Sequence, residues 1–126
     1  MKSAIEINEA NFETEVLRST QPVVVEFITG WSPPSTFLDG ALDEIATEFL
    51  DCLKVATVKL DRNPNLGLWY GIRSIPTMLF FVDGEVSIGI FGSASKEAIL
   101  SQLRPVINSA AIDQLNNVRD SRIQAA

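Results

Sequence analysis

The chain contains no histidine and a single cysteine among its 126 residues, and these two scarcities remove most familiar enzyme chemistries. Without imidazole there is no Ser–His–acid triad, no imidazole metal site and no ordinary general base near neutral pH. Cys52 has no second cysteine with which to form an internal disulfide. Catalysis is restricted to carboxylates, hydroxyls, lysines or one thiol, and neither a metal nor another cofactor is expected. Basic residues are sparse too: ten are scattered from Lys2 to Arg122 against 16 acidic residues, for a net charge of −6. With no basic stripe to grip a phosphate backbone, nucleic acid is not an expected partner. No stretch approaches the roughly 18 consecutive apolar residues of a membrane span, and the start "MKSAIEINEANF" lacks a long apolar region behind a basic one. No membrane partner and a cytoplasmic location are the corresponding expectations.

What is present is ordinary globular material, 46% hydrophobic and long enough for one domain with one core. Short apolar runs alternate with helical spacing. "AIEI" (Ala4 to Ile7) predicts a short strand, followed by a helix capped by Asn11 in which Phe12, Val16 and Leu17 share a face. "VVVEFI" (Val23 to Ile28) is β-branched on both faces, the pattern of a central strand covered by helices on either side. From Pro33 to Leu50 the apolar residues recur at the spacing of a helix with a broad buried stripe. "KVATVKL" (Lys54 to Leu60) reads as a third strand, and a short helix from Pro64 to Tyr70 is stopped by Gly71. "TMLFFV" and "EVSIGIF" flank Asp83-Gly84, the strongest hairpin signal in the chain.

A last helix begins at Ser95 and is expected to turn Ala98, Ile99, Leu103, Val106 and Ile107 inward, with Pro105 bending it or starting a new segment. This order predicts an α/β domain over residues 1–109: a mixed central sheet of about five strands, joined by right-handed crossovers and flanked by about four helices. Residues 110–126 form a C-terminal extension, with Ala111, Leu115 and Val118 near one side of a helix. It reads as a helical continuation, a packing arm for a second copy of the chain, or a frayed end.

The stretch "TGWSPPSTF", directly after the central strand, raises the functional question. Taken with "LDEIATEF", "VKLDRNP", "YGIRSIPTMLFFVDGEV" and Gly92, it makes the chain resemble a thioredoxin over about Ala4 to Val106. The resemblance implies the thioredoxin fold. In that family the junction after the strand is Trp-Cys-Gly-Pro-Cys, a dithiol at a helix start whose dipole stabilises the attacking thiolate. Here Ser32 and Ser35 occupy the cysteine positions and Pro33 replaces the glycine, so the resemblance supplies the fold and withholds the redox chemistry.

Read from the residues themselves, the junction is a rigid, capped helix start. Ser32 can accept an amide of the first turn, and Pro33 and Pro34 lack only amides that have no helical partner. A serine nucleophile needs an adjacent base, and the loop offers neither histidine nor lysine. Cys52, at the far end of the following helix, lies on the order of 25 Å away and reads as a partly buried packing residue. Glu26 stands where the family has a buried acid. Its alignment with Thr57 leaves two readings open: a neutral carboxyl of raised pKa bonded to Thr57 or water, or a carboxylate paired with Lys59.

Pro76, in "SIPT", matches the family's cis-proline, beside which the backbone pairs with an extended segment of a partner protein. Gly40, where the family has a helix-kinking proline, permits a bend without forcing it. The resemblance thus gathers Trp31, Pro33, Pro34, Ile75, Pro76, Phe91 and Gly92 around a protein-binding groove, unless Pro33 and Phe91 cover one another. The leading expectation is a redox-inactive, chaperone-like or scaffold module that binds a protein or extended peptide segment through this groove. The alternative is a thioredoxin-type disulfide oxidoreductase whose two active-site cysteines were replaced by serine. A third reading places the function in the C-terminal extension, as the contact of a homodimer.

Overall fold

The run VVVEFI forms the strand β2 (Val23–Ile28) at the middle of a five-stranded sheet, in a computed structural model that describes residues 5–30, 44–45, 47–48, 52–92 and 94–107. Around it stand β1 (Ile5–Ile7), β3 (Lys54–Lys59), β4 (Thr77–Val82) and β5 (Glu85–Phe91), in the order β1-β3-β2-β4-β5. β1, β3 and β2 run parallel, while β4 and β5 are antiparallel to their neighbours. The mixed sheet is the expected α/β architecture. Val23 to Phe27 are all buried, because both faces of the central strand are covered.

Val24, Met78, Phe80 and Ile90 point to one face, where Ile45, Ile99, Leu100, Leu103 and Ile107 close over them. Val23, Val25, Phe27, Leu79 and Phe81 point to the other, beneath Phe12, Val16 and Leu66. On this second face Tyr70 stacks edge-on to Phe81 at 5.4 Å and tilts against Phe12 at 5.5 Å. Lys96 reaches Glu44 at 3.0 Å and Glu48 at 3.3 Å and so ties these two helical residues to the last helix. The Glu44 and then the Glu48 hydrogen bond hold the Lys96 ammonium protonated above its ordinary range.

Local chemistry explains most boundaries. Asp83 and Gly84 both adopt positive φ, 53° and 80°, the primed turn that matches the twist of a tight hairpin. Gly84 is also sterically required, since a Cβ there would lie 2.8 Å from the Leu17 carbonyl oxygen. The Pro64–Tyr70 helix ends at Gly71 with φ 62°, a left-handed C-cap. Ser95 caps the last helix by accepting the Ala98 amide at 3.1 Å.

Several expectations are corrected. The first helix is a five-residue π-helix, Glu13–Leu17, in which Arg18 N–H donates to the Glu13 carbonyl at 2.9 Å. Val16 is buried in the same cluster as Phe12, and Leu17 packs against it half-buried. The expected Asn11 cap is not made, because the residue before the helix is Phe12 and no side chain caps it; in the preceding turn Asn8 Oδ1 accepts the Asn11 amide at 2.9 Å and Asn11 Oδ1 accepts the Asn8 amide at 2.8 Å. The last helix, residues 96–107, continues through Pro105, which lies on its exposed side. There Leu100 is buried and Ala98 faces solvent. Among the described residues the helix count is lower than the four or so expected: the π-helix, Pro64–Tyr70 and 96–107 are seen, with only Glu44, Ile45, Thr47 and Glu48 helical in the segment where a long second helix was expected. Gly40 and the extension 110–126 lie outside the described residues.

Candidate functional site

The strand register brings four chain segments to one end of the sheet. Phe27 pairs with Thr77, so Ile28 to Gly30 continue alongside Ser74 to Pro76. One step past the strands, Leu60 N–H donates to the Ile28 carbonyl at 2.7 Å. Gly30 N–H donates to Asp61 Oδ1 at 2.8 Å. From the other side, Gly92 N–H donates to the Pro76 carbonyl at 2.8 Å. This is the carboxyl end of the parallel strands, where ligands of open α/β sheets bind.

The turn carrying Pro76 is held from below. Thr77 is fully buried, its hydroxyl donates to the Ser74 carbonyl at 2.7 Å, and its oxygen lies 3.2 Å from Ser74 Oγ. The Ile75–Pro76 peptide bond is cis. Above this anchored base Ile75 is exposed, and Phe91 is 70% exposed. The Phe91 ring folds back along β5: a Cβ placed on Gly89 would meet its Cζ at 2.8 Å and Leu79 Cδ2 at 3.6 Å. The aromatic therefore rests on glycine backbone, supported on one side and open on the other.

Ile75, Pro76, Phe91 and Gly92 are thus neighbours at one sheet end. Trp31, Ser32, Pro33, Pro34 and Ser35, which follow Gly30 directly in sequence, lie outside the described residues. Sequence reasoning missed Asp61, Thr77 and Gly89 as parts of this region. The only available signal was the quoted motifs "VKLDRNP" and "SIPT", which contain Asp61 and Thr77 without indicating what they touch.

Glu26 is 1% exposed in the row Glu6–Thr57–Glu26–Met78–Ile90 that crosses the sheet. The Lys59 ammonium lies 3.3 Å from Glu6 at the accessible margin of that row. Cys52 is exposed, where partial burial was expected, because the neighbouring Leu53 takes the core position. It precedes Lys54, the partner of Val23, and so sits at the sheet end opposite Gly30. Among the described residues no cluster of three or more His, Cys, Asp or Glu is suited to a metal ion, and no helix is long and apolar enough to cross a membrane.

Comparison with known proteins agrees with this geometry. The thioredoxin family model matches residues 3–105. A thioredoxin of Griffithsia pacifica is 36% identical over 107 residues, 85% of this chain and 98% of the relative. Thioredoxin 1 of Synechococcus elongatus is 38% identical over 103 residues, covering 82% and 96%. A thioredoxin of Mycobacterium bovis is 39% identical over 107 residues, covering 84% and 92%. With the family model matching residues 3–105, relatives 36–39% identical over more than four-fifths of the chain, and the mixed sheet arranged around β2, this chain belongs to the thioredoxin family.

Proposed function

We propose that the chain is a thioredoxin-fold binding module that captures an extended protein segment at the Gly30–Ile75–Phe91 end of the sheet and performs no disulfide exchange there. The observation that carries this reading is the separation of the two chemistries. Ile75, Pro76 and Phe91 present apolar surface on an anchored base at one end, while the only thiol, Cys52, stands at the other. An extended segment laid beside the residue preceding Pro76 gains main-chain hydrogen bonds, and Ile75 and Phe91 offer it side-chain contacts. Neither interaction uses sulfur. In the sequence Ser32 and Ser35 hold the family's dithiol positions, so no cysteine pair follows Trp31 there. The setting for such a module is cytoplasmic.

The test is binding of fluorescein-labelled, S-carboxymethylated α-lactalbumin, an unfolded polypeptide with every thiol blocked, followed by anisotropy. Wild type binds, and Ile75→Ser and Phe91→Ser each weaken binding about tenfold, the loss of one well-packed apolar contact. Wild type without affinity, or variants equal to wild type, contradicts the reading.

A further inference from the structure

We infer that Asp61 is a positioning residue of this groove: its carboxylate fixes Gly30, the residue immediately before Trp31, against the 59–63 turn. The inference rests on the binding role proposed above. Gly30 lies past the last strand pair of β2, where backbone amides are ordinarily left to water. Here the amide donates to Asp61 Oδ1 at 2.8 Å, across a separation of 31 residues. The second carboxylate oxygen lies 3.0 Å from the point a Cβ at residue 30 would occupy, so a side chain there would push the carboxylate back by a few tenths of an ångström.

Asp61 is itself held in advance. Arg62 N–H donates to the Lys59 carbonyl at 3.1 Å and Asn63 N–H to the Leu60 carbonyl at 3.2 Å. The buried Asn63 side chain donates to the Lys59 carbonyl at 2.9 Å. The turn bearing the carboxylate is closed from both sides before Gly30 meets it. Because Asp61 is exposed, its truncation leaves no cavity, and the consequence falls on the groove edge. A charge-assisted hydrogen bond aimed at an amide is the strongest restraint available at such a site.

The experiment uses the full chain with two readouts: hydrogen exchange at the Gly30 amide by NMR, and affinity for the carboxymethylated α-lactalbumin probe. Asp61→Ala speeds Gly30 exchange about tenfold and weakens the probe about three- to tenfold. Asp61→Asn retains the acceptor oxygen and restores both. Gly30→Ala, which crowds the carboxylate from the opposite side, reproduces the loss in the wild-type background and adds little to Asp61→Ala, as one shared contact requires. It also stands in if Asp61→Ala fails to fold. Unchanged probe affinity in Asp61→Ala, with wild-type binding intact, overturns the positioning role alone. A wild type with no affinity for the probe overturns the groove itself, and the positioning role with it.

Discussion

Replacing Thr77 by valine removes the oxygen that holds the Pro76 turn to the sheet while keeping the side-chain shape. The hydroxyl has one proton, donated to the Ser74 carbonyl at 2.7 Å, so the 3.2 Å contact with Ser74 Oγ runs from serine to threonine. Loss of the short bond costs about 1 kcal/mol, and the longer one adds less than about 0.5 kcal/mol. Ser74 is exposed, so its freed groups turn to water and the cost does not rise to that of a buried orphan. A methyl in the apolar surroundings of Thr77 recovers part of it, leaving a net loss of about 1 kcal/mol. Urea unfolding of Thr77→Val is expected to show that decrease with an unchanged m-value. Gly92 donates to the Pro76 carbonyl at 2.8 Å, so its amide is expected to exchange faster if the loosened turn transmits across the groove. Stability within about 0.3 kcal/mol of wild type, together with unaltered Gly92 exchange, would refute the claim that Thr77 anchors the turn.

Glu9 caps the Pro64–Tyr70 helix from 56 positions away, accepting the Asn65 amide at 2.9 Å, so Glu9→Ala is expected to cost about 1 to 2 kcal/mol and Glu9→Gln less, measured by urea midpoints. Gly84→Ala places a Cβ against the Leu17 carbonyl at positive φ; a loss below about 1 kcal/mol contradicts the assigned crowding. Burial raises the Tyr70 phenol above its ordinary value, so its neutral form is favoured in the fold. Its contribution is complete below the unfolded value of about 10 and is lost as pH rises through the folded one. Tyr70→Phe therefore gains on wild type above about pH 10, and a stability difference that stays flat through that window rejects the burial argument.

The sheet was legible because its signals are local. Val23 to Ile28 carry β-branched residues on both faces, and Asp83-Gly84 marks the only tight turn between two apolar runs. The last helix was legible in most of its buried stripe: Ile99, Leu103 and Ile107 are buried and Val106 packs against them, while Leu100 takes the inward place expected of Ala98, because alanine tolerates either side. Ahead of the first helix Asn8 and Asn11 bond one another's amides instead of capping it, a reciprocity that exists only in the folded geometry. Asp61 meeting Gly30 and Glu9 meeting Asn65 are long-range contacts of exposed polar residues. Neither hydrophobic periodicity nor a short motif encodes them. The proposed groove members Ile75, Pro76, Phe91 and Gly92 were grouped by likeness to a family, because nothing in their spacing says that residues 76 and 92 adjoin.

The most direct measurement of the central claim is reduction of insulin by dithiothreitol with and without the protein, alongside a Cys52→Ser variant. With oxygen at positions 32 and 35 and the lone thiol at the far end of the sheet, the turbidity rate is expected to equal that of dithiothreitol alone for both proteins. A clear acceleration by the wild-type chain that exceeds the Cys52→Ser variant would show electrons passing through Cys52, and acceleration by both would show a route that needs no cysteine; either result contradicts a groove kept for binding without exchange.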